Sequence, residues 1–152
     1  MSKGDIAKSY FEQGYNCSQA VALAFADEIG MNNDMIARLT GGFGGGMGRM
    51  REVCGTVSGT AFVMSALYGY SDPKDNETKA RLYKQIQQVA GEFKEENGSV
   101  VCRELLGLTK SGFDNPQPEK RTEKYYKKRP CGELVKMSAD ILEKFIADNS
   151  QK

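Results

Sequence analysis

The chain has 152 residues, 21 of them basic and 20 acidic, for a formal charge of +1, and contains no histidine. Near-neutrality offers no global field for nucleic acid or a membrane surface, and the missing imidazole excludes Ser-His-Asp and Cys-His catalysis, His-ligated zinc and Glu-x-x-His di-iron sites. This length can bury a core without disulfide staples, so a single domain over residues 1–152 is expected.

The polar opening Met1-Ser-Lys-Gly-Asp has no apolar segment behind it, which argues against a secretory signal and for the cytoplasm, where thiols stay reduced. Asp5 to Gln13 reads as a short helix closed by Gly14. Asn16 caps a second, CSQAVALAFADEI, apolar on nearly every face and stopped by Gly30. Such a helix belongs at the centre of a bundle. MNNDMIARL predicts a third helix, capped near Asn33. After a glycine-rich run, Glu52 to Tyr68 predicts a second central helix. The uncharged stretch from Val53 to Ser71 is broken by glycine, threonine and serine, so it reads as buried helix and not as a membrane span.

Glu77 to Glu96 is the most regular amphipathic segment, with Tyr83, Ile86, Val89, Ala90 and Phe93 recurring at three and four. Ser99 is placed to cap VVCRELLG. Residues 108–129 are polar and interrupted by Pro116 and Pro118. Pro130 opens a last helix to about Asp148, a favourable first position for proline. No run combines β-branched residues with a two-residue alternation long enough for a strand. The expected fold is all-α, a single-domain helical bundle with two buried central helices.

The glycine run, TGGFGGGMGRMREVCG, carries six glycines between Gly41 and Gly48. A P-loop is excluded, since no glycine precedes Lys and a hydroxyl residue. The dinucleotide pattern fails too: the third glycine position holds Met47 or Arg49. Two readings stand. One is a cradle around whatever Cys54 holds, tight because glycine lacks Cβ and presenting N–H groups to anionic sulfur. The other is a hinge.

Four cysteines carry the remaining chemistry. Cys17 follows the Asn16 cap, Cys54 lies in the first turn of the second central helix, Cys102 follows Ser99 by three, and Cys131 follows Pro130. Each sits at or near a predicted helix N-terminus, where unpaired N–H groups and the macrodipole favour a thiolate. A cysteine pKa near 8.5 can fall to roughly 3.5–7.5 in such places. Arg103 beside Cys102, and Lys128 and Arg129 before Cys131, push the same way. The plainer reading is that cysteine is a small hydrophobe often found buried. The sequence intervals contain no C-x-x-C pair and no zinc knuckle, so any sulfur cluster must be assembled by packing.

Other features read as structural. KRTEKYYKKR is expected to be a solvated face, with a lid over Cys131 as its functional alternative. Asp27-Glu28 and Glu95-Glu96 are adjacent on their helices and face different ways. Met47, Met50 and Met64 are expected to fill core gaps.

Taken together, YNCSQAV, GGFGGGMG, CGTVSG, GSVVCRELLG and RPCGELV resemble a family of small redox-active proteins named for four cysteines and a C-G-A-x-x-G motif, from about Phe11 to Val135. Thr56 stands where that motif has alanine. The resemblance implies a redox role and a transporter-associated redox partner. Gly55 and Gly59 in the motif lie on one helical face, allowing a neighbouring backbone to approach closely.

Three functions follow. In the first, a thiol oxidoreductase, Cys17, Cys54, Cys102 and Cys131 serve in thiol–disulfide exchange or electron transfer, with Cys54 paired to one of the others and no cofactor. In the second, the same four sulfurs ligate an iron–sulfur cluster or zinc, with Gly44, Gly45, Gly46, Gly55 and Gly59 making room for it. The third is a helical interaction module with buried thiols. No nucleic-acid partner is expected, and homo-oligomerisation is left open.

Overall fold

A computed structural model describes residues 1–109 and 112–150, with the side chains of Lys127, Lys128 and Ser150 outside the description. The fold is all-α. Helix α1 (Lys3–Glu12) starts at a Ser2–Asp5 capping box, in which each side chain accepts from the other's backbone N–H. Helix α2 (Cys17–Leu23) starts at a second such box, made by Asn16 and Gln19. The long apolar helix expected to continue from α2 is broken at Ala24 and Phe25, and resumes as α3 (Ala26–Ile29). Gly30 ends that turn in the left-handed conformation, as its position in the sequence implies.

Helix α4 (Asn33–Thr40) is capped by Asn32, whose side chain accepts from Met35. The two central helices are α2 and α6 (Gly55–Tyr68). Around them pack α7 (Asn76–Asn97) and α10 (Cys131–Ser150), the latter running alongside α1. Phe11, Val21, Phe25, Ile36, Val63, Met64, Val135 and Leu142 form one core, each 2 % exposed or less. Among the described residues, no helix is long and apolar enough to cross a membrane.

Two elements depart from the sequence reading. The polar stretch before Pro130 contains a helix, α9 (Glu123–Lys128), capped by Thr122. It packs through aromatic edges, with Tyr126 against Phe11. Ser99 does not cap the helix that follows it. Helix α8 (Cys102–Leu105) is a single turn begun from Val101, and Ser99 instead accepts from the Val101 N–H. The extended residues before α6 and α8 meet in one antiparallel bridge, Val53 to Val101. Its bonds run from Cys54 N–H to Val100 O at 2.8 Å and from Cys102 N–H to Glu52 O at 2.6 Å.

The contact that fixes the centre is the one between α2 and α6. A Cβ on Gly59 would lie 2.7 Å from the Ser18 carbonyl oxygen, and one on Gly55 would lie 3.2 Å from the Ser18 nitrogen. These two glycines let the start of α2 lie directly on the backbone of α6. Replacing Gly59 by alanine is expected to destabilise the protein: overpacking costs about 1–3 kcal/mol, against roughly 1 kcal/mol gained in helix propensity. Gly91 on α7 has open space around its Cα, so Gly91→Ala should instead stabilise by up to about 1 kcal/mol. Urea unfolding of both variants checks the pair of signs.

Candidate functional site

The glycine run folds as a loop of the wrong hand for L-residues. Gly45, Gly46, Met47, Gly48, Arg49 and Arg51 all have positive φ, between 56° and 70°. Its first part, α5 (Gly44–Met47), is a left-handed turn closed by a bond from Gly48 N–H to Gly44 O. Glycine adopts this conformation freely, whereas each non-glycine residue there is held at a cost of about 1–3 kcal/mol. The loop is wired to itself: Arg51 N–H reaches Gly45 O at 3.1 Å and Glu52 N–H reaches Gly46 O at 2.9 Å. That wiring excludes a free hinge. It also commits the N–H groups of Gly48, Arg49, Arg51 and Glu52 to the loop's own carbonyls, so in this stretch the loop shapes a wall more than it offers donors.

Asn16 locks this loop to α2. Its Nδ2 donates to Gly41 O at 2.9 Å, and a Cβ on Gly44 would lie 2.4 Å from its side-chain carbon. Gln19 Nε2 donates to Ala37 O at 2.9 Å, tying in the end of α4. A Cβ on Gly46 would lie 2.6 Å from Cys102 Cβ. The glycines therefore bring backbone against two of the helix starts that carry cysteine, those of α2 and α8.

The outcome is a cavity of about 430 Å³ lined by all four cysteines. Cys17, Cys102 and Cys131 are each the first residue of a helix, and Cys54 is the cap of α6. Gly44, Gly45, Gly46 and Gly55 line the same space. Gly59 does not; its Cα faces the Ser18 backbone one turn away.

Within the cavity the cysteines form two kinds of site. Cys17 and Cys131 are half-buried, line the same cavity and each shift the other's ionisation. Cys54 and Cys102 are buried and contact other partners. Cys54 Sγ is 3.2 Å from the Thr56 hydroxyl, and Cys102 Sγ accepts from Arg51 at 3.6 Å. Thr56, the departure from the motif's alanine, thus supplies a polar neighbour to one sulfur. Arg51 supplies the guanidinium that reaches Cys102, the role expected of Arg103. Arg103 turns to the carbonyls of Met50 and Gly112.

The flanking bridge also sets a distance. Val53 pairs with Val101, so Cys54 and Cys102 lie on a diagonal of that ladder, roughly 7–8 Å apart for such neighbours. A disulfide wants Cα atoms about 4.4–6.8 Å apart. The thiols that most strongly affect each other's ionisation are Cys17 and Cys131.

Protonation separates them further. Interaction with the Cys17 thiol lowers Cys131 to about 7, aided by Arg129, Arg121 and Arg51 and opposed by burial. Cys17 is pushed well above the usual thiol range, by Cys131 first and by desolvation second. Burial raises Cys54 and Cys102, outweighing Thr56 and Arg51 respectively. Position at a helix start therefore does not by itself make a thiolate here; desolvation wins at Cys54 and Cys102, and the neighbouring Cys131 raises Cys17.

Sequence reasoning placed Arg129 beside Cys131 but missed three other arginines, Arg49, Arg51 and Arg121. Arg49, Arg51, Arg121 and Arg129 all line the cavity. Arg49 and Arg51 are aimed by the left-handed loop and share Asp114, with Arg51 Nη2 at 2.9 Å from its carboxylate. Arg121 belongs to the run expected to be a solvated face. It donates instead to the Phe11 and Tyr15 carbonyls, each at 2.9 Å, and stacks 4.4 Å from the Phe11 ring. Arg129 pairs with Glu119 over Tyr125. With Pro116 and Pro118 this segment forms one wall of the cavity, next to Cys131. The side chain of Lys128 lies outside the described residues. Met64 fills the core as expected, whereas Met47 is exposed.

A family model described as "Putative redox-active protein (C_GCAxxG_C_C)" matches residues 15–145. The chain belongs to that family. No curated protein and no solved structure matches it. The family's motif coincides with the geometry above: its cysteines are the cavity's sulfurs, and its two glycines are the contact between α2 and α6.

The reacting form of a thiol is its thiolate, so alkylation by iodoacetamide should select Cys131, with a rate that rises through about pH 7 and levels off above it. Cys17→Ala removes that neighbouring thiol and should move the midpoint upward, toward the roughly 8.5 of a free thiol. Peptide mapping of the alkylated protein across pH 5–9 reads both outcomes.

Proposed function

We propose that this protein is a thiol–disulfide oxidoreductase in which Cys131 is the attacking sulfur and Cys17 the resolving one. The observation that carries the reading is the placement of these two half-buried thiols on one open cavity, beside the guanidinium groups of Arg121 and Arg129. In the exchange step, the Cys131 thiolate attacks one sulfur of a disulfide and expels the other as a thiolate. Cys17 then loses its proton and attacks Cys131. The mixed disulfide breaks, the Cys17–Cys131 disulfide forms, and the second substrate thiolate leaves. Two electrons pass from the protein to the substrate, and an external dithiol returns them.

The arginines support the same assignment. Three guanidinium groups act on Cys131, replacing the imidazole that this chain lacks. Cys54 and Cys102 are more buried and their thiols stay protonated, so they are assigned no part in the first attack.

Convergence of all four sulfurs on one cavity favours a second reading, a Cys₄ site for an iron–sulfur cluster or zinc. Among the described residues no three Cys, Asp or Glu side chains are gathered closely enough to hold a metal ion, so binding would have to draw the sulfurs inward. One anaerobically purified sample separates the readings. The exchange reading expects four titratable thiols, two of them lost together on mild oxidation, with Cys17→Ser abolishing the paired loss. Stoichiometric iron or zinc with masked thiols would overturn it in favour of the metal site.

A further inference from the structure

The cavity carries more positive charge than its thiols need. Four guanidinium groups face it, against two carboxylates that pair with them, Asp114 and Glu119. With neutral thiols this leaves an excess of two positive charges. A single thiolate on Cys131 removes only one. Arg121 is the clearest case, since its hydrogen-bond partners are the neutral carbonyls of Phe11 and Tyr15. Among the described residues it makes no ion pair with a carboxylate.

The arrangement is built, because two of the cationic groups are delivered by strained backbone. Arg49 and Arg51 hold φ values of 63° and 62°. Non-glycine residues in that region cluster where a ligand or reacting group is clamped. The volume, about 430 Å³, lies at the small end of the roughly 300–1,000 Å³ typical of small-molecule sites. That volume is enough to hold a small molecule.

We propose that the substrate of this site is a low-molecular-weight disulfide carrying carboxylates, held by Arg121 and Arg129 while its sulfur meets Cys131. This rests on the exchange reading above, and names the substrate class for it. Guanidinium pairs with carboxylate through two parallel N–H bonds, so the same groups that favour the thiolate orient the incoming anion. Reduction of such a disulfide releases two anionic thiols, one at each of the two displacement steps, and leaves the Cys17–Cys131 disulfide.

The test is a charge series of small disulfides on the reduced protein: 3,3′-dithiodipropionate, 2-hydroxyethyl disulfide and cystamine, which are anionic, neutral and cationic. The readout is the ratio of second-order rate constants, anionic over cationic, corrected for the same ratio with a free thiol. This ratio is independent of how much Cys131 is ionised, so a change in thiolate fraction cannot mimic it. We expect a ratio on the order of tenfold or more at low salt, shrinking as ionic strength rises. Arg129→Gln should reduce it several-fold, and Arg121→Lys, which keeps the charge but loses the paired bonds, should reduce it less. Circular dichroism confirms that each variant is folded. Equal rates for all three disulfides would overturn the substrate class and leave the exchange reading intact. Failure of every disulfide to oxidise Cys17 and Cys131 would overturn the exchange reading itself.

Discussion

Everything at the centre of this protein depends on how closely α2 can lie against α6. Helices faced with ordinary side chains pack with their axes about 8–10 Å apart. At Gly55 and Gly59 the spacer is missing, and the Ser18 backbone occupies the space a Cβ would take. That approach places the first residue of α2, Cys17, over the first turn of α6, where Cys54 is the cap. The left-handed loop just before α6 uses the same device against Asn16 and Cys102. Close backbone contact, repeated at three points, converts four cysteines far apart in sequence into the lining of one cavity.

Much of this was legible in the residues. Asn16 and Gln19 form the capping box their spacing implies, and the apolar character of both central segments predicted their burial. The pair Gly55 and Gly59 announced a close helix contact before any partner was known. The breaks in the pattern have local causes. The apolar run after Cys17 looked like one helix because burial, not periodicity, dominates its composition; the helix is interrupted at Ala24 and Phe25, both of them buried. Helix α9 was hidden by its charge, since its packing surface is made of two tyrosines in a run of lysines and arginines.

The arginines were harder to read because nothing in the linear pattern marks which cations turn inward. Arg121 is drawn in by the carbonyls at the end of α1 and by the Phe11 ring, partners more than a hundred residues away in sequence. Arg51 becomes a neighbour of Cys102 only because the loop reverses hand. Sequence local to each cysteine suggested four equivalent thiols at helix starts. Packing makes them unequal: the neighbouring Cys17 thiol and three guanidinium groups favour ionisation at Cys131, while desolvation suppresses it at Cys54 and Cys102.

The Val53–Val101 bridge has a bearing on electron capacity. Its two hydrogen bonds use the backbone N–H groups of Cys54 and Cys102 themselves. Drawing those residues into a cross-link would mean shortening their diagonal and releasing both bonds, along with the Arg51 contact to Cys102. The inner thiols are thereby held apart by the same strand contact that brings them to the cavity. On the exchange reading proposed above, a folded chain would store one electron pair, at Cys17 and Cys131. Storing a second at Cys54 and Cys102 would mean loosening the bridge, so on that reading redox stoichiometry would report whether this small piece of backbone is intact.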